Sequence, residues 1–112
     1  MSLQLEKKNV EFDGKTYELT CNMAALEALE GEYGGSMKAA FEDSVDHVSA
    51  KLFRIMLNQA REEAGEGPVE AHAISRRYNY AMVREMDVFG MFMRAMSPEL
   101  AQKSQTEGSA GN

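Results

Sequence analysis

Apolar and polar residues alternate on both sides of Asp13-Gly14 near the start of the chain. Asp-Gly strongly favours a two-residue type I′ turn, because both turn positions need a positive φ. The resulting register pairs Phe12 with Lys15, Val10 with Tyr17, and Lys8 with Leu19. Four apolar side chains then share one face: Val10, Phe12, Tyr17 and Leu19. We therefore predict a β-hairpin over about 8–21, whose apolar face packs on helices because a lone hairpin is unstable in water.

From residue 22 onward, apolar positions recur every three to four residues, which is typical of helices. Asn22 is a predicted N-cap, and we expect helices over about 23–33, 36–42, 45–64 and 68–96. Glycines near 34 and 65 separate them, and Pro68 suits the first turn of the last helix. That last pattern is longer than most globular helices, which leaves open a break around 74–79.

These elements predict one α+β domain, mostly α, in which an N-terminal hairpin packs on three or four helices. The 112 residues suffice for a single modest core. We assign the domain to residues 1–97. Residues 98–112 are rich in Ser, Gly and polar side chains, so we expect a disordered C-terminal tail.

Charge and composition narrow the function classes. The chain has 18 acidic and 12 basic side chains, and residues 1–65 account for −5 of the net charge of −6. This balance argues against nucleic-acid binding, which needs clustered cations. The longest apolar run covers only residues 88–93 and the N-terminus lacks an apolar signal region, so neither a membrane span nor a signal peptide is expected. A lone cysteine suggests a reducing compartment.

Candidate catalytic and metal-binding residues are few. Asp43 and His47 lie four residues apart and could face the same side of a helix, with Asp46 between them in sequence. A metal site needs at least three ligands that converge, and no further ligand converges with this pair in sequence. An acidic helix start, which complements the helix dipole, explains these residues better. Cys21 has no neighbouring base in sequence and fits a small buried hydrophobe. We found no nucleotide-binding or cysteine-pair motif. We therefore expect no enzyme activity, no cofactor and no metal.

The end of the last predicted helix is the most informative segment. At 100° per residue, one narrow face carries Met82, Met86, Phe89, Met93 and Met96, which predicts a core stripe. Val88, Met91 and Phe92 fall off that stripe, so residues 88–93 are apolar all round. Two interpretations stay open: the hairpin covers the second side, or another chain does. Methionine favours a partner, because its flexible side chain suits varied apolar surfaces.

A basic and aromatic cluster lies just before this segment, at Arg76, Arg77, Tyr78, Tyr80 and Arg84. It could clamp a single-stranded nucleic acid, but nearby acidic residues cancel its charge. We favour an exposed basic face with Tyr78 turned into the core and arginines that anchor an acidic protein partner. The predicted interface for a partner or a second copy therefore comprises Arg76, Arg77, Tyr80, Val88, Met91 and Phe92.

The run DGKTYELTCNMAALEALEGEYGGSMKAAF, residues 13–41, resembles the N-terminal part of small tail assembly chaperones of tailed bacteriophages and prophages, and of the related small tail proteins of gene transfer agents. In that family a DG-turn hairpin leads into an N-x-x-A-L-x-x-L-E helix, a small-residue turn and a second helix. Here the pattern falls on Asp13-Gly14, Asn22, Ala25-Leu26, Leu29-Glu30 and Gly34-Gly35. The remainder of the chain agrees in layout only.

The resemblance implies a protein that binds and coats the tape-measure protein during tail assembly in the host bacterial cytoplasm, without catalysis. It also implies a homo-oligomer, and contact with the tail-tube protein through an extended, frameshifted form. Coating a long rod needs heterologous contacts between copies. Two other interpretations remain: a tail-completion or head–tail connector subunit, and a small helical regulatory or nucleic-acid-binding protein that uses residues 76–84.

Overall fold

The computed structural model describes residues 4–97, which form two strands and six helices. The strands are β1 (Lys7–Phe12) and β2 (Lys15–Thr20). The helices are α1 (Met23–Glu32), α2 (Met37–Glu42), α3 (Val45–Glu63), α4 (Ala71–Ser75), α5 (Tyr80–Glu85) and α6 (Val88–Met96). The predicted α+β class, mostly α, is confirmed. Within the described range, no helix combines the length and apolar character needed to cross a membrane. The predicted tail at 98–112 lies outside the described residues.

The hairpin has the predicted register. Strands β1 and β2 pair antiparallel with Phe12 opposite Lys15 and Val10 opposite Tyr17. Both turn residues have positive φ, 53° at Asp13 and 77° at Gly14, as a type I′ turn requires. The four apolar side chains predicted to share one face are all buried: Val10, Phe12, Tyr17 and Leu19. The sheet consists of these two strands, so its stability depends on the helices beneath it.

Helix α3 lies at the centre of the fold. It packs against β2, α1, α5 and α6, and it buries Val48, Leu52, Phe53, Met56 and Leu57. The first three helices begin at side-chain caps, where Asn22, Ser36 and Ser44 each accept a hydrogen bond from the backbone N–H three residues later. Such caps satisfy N–H groups that have no partner inside the helix. Local sequence therefore defines where each of these helices begins.

The segment between α3 and α4 is held against both the hairpin and α3. The Asn58 amide donates to the Val69 carbonyl at 3.1 Å, and the Val69 N–H donates to Asn58 Oδ1 at 2.8 Å. Glu66 accepts hydrogen bonds from Lys15 and from the Tyr17 hydroxyl. These contacts lower the pKa of Glu66 and raise that of Tyr17. The segment between α3 and α4 thus connects the hairpin with the core.

The prediction of one helix over 68–96 is wrong. This segment contains α4, α5 and α6. The first break, at 76–79, falls in the expected window. It ends at Asn79, whose side chain caps α5 by accepting a hydrogen bond from Met82 N–H at 2.9 Å. The second break was not predicted: Asp87 adopts a left-handed conformation with φ 56°. Pro68 also lies outside the first turn of α4, which begins at Ala71 after Glu70.

Replacing Asp87 tests the second break. We expect Asp87→Asn to change the free energy of unfolding by less than about 0.5 kcal/mol, because asparagine tolerates a positive φ. We expect Asp87→Val to destabilise the protein by about 1–2 kcal/mol, because a β-branched side chain is strained there. Urea unfolding measures both values. Equal stability of the two variants would contradict the left-handed turn.

The Glu66 contacts predict an acid-sensitive contribution to stability. The folded-state pKa of Glu66 is below the ordinary value of 4.5, which means that the ionised carboxylate stabilises the fold. This stabilisation is lost as pH falls through the lowered pKa, because the carboxyl is then protonated. We expect Glu66→Gln to reduce the urea midpoint at pH 7, and the difference from wild type to shrink below about pH 4. A difference that stays constant between neutral and acid pH would contradict this role.

Candidate functional site

The three apolar residues of the predicted interface lie in the core. Val88, Met91 and Phe92 are at most 1% exposed, and α6 packs against α3 and α5. The prediction that they contact a partner is therefore wrong, because this chain already covers them. The physical reason is the left-handed turn at Asp87, which interrupts the helix and sets the rotation of α6 independently of α5.

The predicted core stripe is partly buried and partly exposed. Met82 and Met96 are 42% and 38% exposed, whereas Met86, Phe89 and Met93 are partly buried against the core. We call these five residues the methionine strip. The prediction of a core stripe therefore holds for Met86, Phe89 and Met93, whereas Met82 and Met96 reach the surface. Exposed apolar side chains that adjoin partly buried ones offer apolar area for a contact.

Phe41 of α2 adds an aromatic ring to this surface. It is 47% exposed, and it stacks on Phe92 with ring centroids 5.2 Å apart. Phe89 of the methionine strip packs edge-on against the same Phe92 ring at 6.0 Å. The buried Phe92 is thus flanked by two accessible aromatic rings from different helices. Phe41 was not singled out from the sequence, because its place beside α6 depends on tertiary packing.

The predicted basic cluster is largely neutralised within the chain. Arg77 pairs with Asp13, and its guanidinium lies 5.0 Å from the centre of the Phe12 ring. Arg84 forms two hydrogen bonds with Asp46, at 2.9 and 2.6 Å, which lower the pKa of that carboxyl. Arg76 is exposed, and its guanidinium has no ion-pair partner among residues 4–97. The cluster therefore offers one unpaired cation, not three.

Tyr78 is turned into the core, as favoured from the sequence. Its ring meets Phe53 edge-on at 4.7 Å, and its hydroxyl donates to the Glu11 carbonyl. Tyr80, by contrast, is exposed and lies near His47, with ring centroids 6.5 Å apart. The two tyrosines thus separate: one links the helices to the hairpin, and the other remains available at the surface.

A half-open cavity of about 330 Å³ lies between α3, α4 and α5. We call it the Arg54 groove. Its walls include Phe53, Arg54, Ile74, Tyr78, Tyr80 and Val83. Apolar walls with a few polar groups are typical of binding sites, and the volume is at the lower end of their usual range. Of the predicted interface residues, Tyr80 lines this groove.

Arg54 was missed at the sequence level. It is half-buried, and its guanidinium has no hydrogen-bond or ion-pair partner among the described residues. Four other arginines each pair with a carboxylate: Arg61, Arg77, Arg84 and Arg94. The available signal was a cation inside the apolar pattern of α3, between Phe53 and Ile55. An unpaired cation in a partly apolar site favours an anionic partner.

The carboxylates considered as metal ligands have structural contacts. Asp43 accepts a hydrogen bond from the Tyr33 hydroxyl at 2.6 Å and lies 3.2 Å from His47 Nδ1. The Tyr33 hydrogen bond, followed by the Ser44 N–H, lowers the pKa of Asp43. Within residues 4–97, no group of three His, Cys, Asp or Glu side chains could hold a metal ion. These contacts connect α1 and α2 to the start of α3.

Cys21 is a buried small side chain, as predicted. It follows β2 and is 6% exposed. Burial, with a smaller effect from Glu6, raises the pKa of its thiol to about 11. A thiol with so high a pKa remains protonated near neutral pH and is a poor nucleophile. Cys21 therefore contributes to packing.

No family model, curated protein or solved structure matches the chain. Function is therefore inferred from the residues of the chain and their geometry. Two surfaces could form a functional site: the methionine strip with Phe41, and the Arg54 groove. Both are suited to contact with another macromolecule, one through apolar side chains and the other through an unpaired cation in a concave site.

The burial of Phe92 and the exposure of Met82 can be tested by truncation. We expect Phe92→Ala to reduce the free energy of unfolding by about 3–5 kcal/mol, because it leaves a cavity in the core. We expect Met82→Ala to cost less than about 1 kcal/mol, because its side chain already contacts solvent. Urea unfolding followed by circular dichroism measures both. Similar losses for the two variants would contradict the orientation of the methionine strip.

Proposed function

We propose that this protein is a tail assembly chaperone of a tailed phage or prophage, which binds and coats the tape-measure protein in the host bacterial cytoplasm. It acts by protein–protein contact without catalysis. The observation that carries the proposal is the methionine strip with Phe41 beside it. The tape-measure protein is proposed as the partner because residues 13–41 resemble that chaperone family.

The chemistry of the methionine strip suits a long helical partner. Methionine has three rotatable bonds and a polarizable sulfur, so a row of methionines adapts to changing apolar side chains along a rod. Phe41 and Phe89 add flat, less flexible area on both sides of Phe92. An amphipathic helix binds in this manner by placing its apolar face on an apolar surface. One such surface per subunit would serve many positions along the same rod.

The distribution of charge also fits a coat made of many copies. The acidic side chains are concentrated in residues 1–65, whereas the methionine strip lies in α5, α6 and the turn between them. Net negative charge keeps unassembled subunits soluble. Coating a rod with identical copies requires contacts between different surfaces of neighbouring copies, which can repeat without closing into a dimer. We therefore propose homo-oligomerisation on the rod.

Co-purification tests this proposal. The chain is co-expressed with a tagged phage tape-measure protein, and the tagged rod is analysed by size exclusion with light scattering. We expect a soluble complex with many copies of this chain per rod. For the double variant Met82→Glu and Met96→Glu, we expect at least about tenfold less protein bound to the rod than for wild type. The reason is that the apolar contact would then desolvate two carboxylates.

Val45→Glu is the matched control. Val45 is 49% exposed and lies in α3, outside the methionine strip, the groove lining and α1, so this variant should bind the rod as wild type does. Circular dichroism verifies that all variants retain their helices. Failure of the wild-type chain to form any complex with the rod contradicts the proposed function. Equal binding by the strip variant contradicts the surface assigned to it.

A further inference from the structure

The Arg54 groove lacks an anionic partner within the described chain. Arg54 lines this half-open, partly apolar cavity together with aromatic side chains. A charge in such surroundings is solvated less well than in free water, and it gains from a carboxylate with good geometry. The groove is therefore complementary to a segment that presents an apolar side chain next to a carboxylate.

The exposed face of α1 has this combination. Met23 is the most exposed of the large hydrophobic residues in the described range. Glu27 lies one helical turn further on the same face, is exposed, and has no ion-pair partner among residues 4–97. Helix α1 contains three glutamates and neither lysine nor arginine, so the whole element is negatively charged.

We infer that the Arg54 groove of one copy binds α1 of a second copy, with Met23 inserted between the apolar walls and Glu27 paired with Arg54. The inference deepens the self-association in the proposed function, on which it rests, by naming the two surfaces. The groove and α1 are different surfaces, so the contact is heterologous and can extend from copy to copy.

This arrangement leaves the methionine strip free for another partner. At 100° per residue, Met82 lies about 160° from Tyr80 and about 100° from Val83 around α5, and the latter two residues line the groove. A copy that occupies the groove therefore need not cover the methionine strip. Self-association and rod binding then use separate surfaces, so each can be abolished without the other.

Charge exchange across the contact tests the inference on the full-length chain. Sedimentation velocity over a concentration series should show that the wild type self-associates. Arg54→Glu and Glu27→Arg should each weaken association at least about tenfold, because each places like charges in the contact. An equimolar mixture of the two variants should recover association, because every groove then meets a helix of opposite charge.

Arg76→Glu is the control. Arg76 is exposed and follows Ser75, yet it does not line the groove, so its reversal should change association by less than about threefold, as expected for a screened charge. Glu27 is exposed, so Glu27→Arg should preserve the fold even if Arg54→Glu disturbs it. Circular dichroism compares the helix content of each variant with wild type.

Three results would overturn the inference: a wild-type chain that stays monomeric, association that is insensitive to both reversals, or a mixture that fails to recover. Rod binding distinguishes this failure from failure of the proposed function. If the rod is coated but the reversals have no effect, the groove assignment is wrong and the proposed function stands. If the charge exchange behaves as expected but no rod complex forms, the proposed function is wrong and the contact between copies stands.

Discussion

Burial of the apolar side of α3 is the interaction on which the other elements depend. A two-stranded ribbon and helices of five to ten residues are too short to be stable alone in water. All of them gain stability by packing on one longer helix, directly through β2, α1, α5 and α6 or through their neighbours. The same packing defines both candidate sites, because the groove lies along α3 and the rotation of α6 over α3 decides which of its faces is exposed.

The elements predicted well are those encoded by local chemistry. Asp13-Gly14 and the alternation around it specify both the turn and the register, since a shift of one residue would expose every apolar side chain. Asn22, Ser36 and Ser44 mark helix starts through their own side-chain hydrogen bonds. These signals act over a few residues, so they can be recognised without knowledge of the tertiary structure.

The interface prediction failed where local chemistry is ambiguous. A segment that is apolar all round does not indicate which side is buried, and a left-handed aspartate resembles any other polar helix residue in sequence. The turn at Asp87 placed Val88, Met91 and Phe92 in the core and left Met82 and Met96 of the methionine strip exposed. The Arg54 groove could not be predicted from the sequence for another reason: three helices form its walls. Arg54 can be recognised as an unpaired cation only when the ion pairs of the other arginines are known.

The most direct measurement uses the nine methionines as probes of the exposed face. Methyl NMR spectra of methionine-labelled protein are recorded with and without a soluble paramagnetic agent, and signals are assigned by single substitutions. The account predicts strong broadening of the Met82 and Met96 methyls and protection of Met56 and Met91. Protection of Met82 and Met96 together with broadening of Met91 would show that α6 presents the opposite face, and would contradict the account.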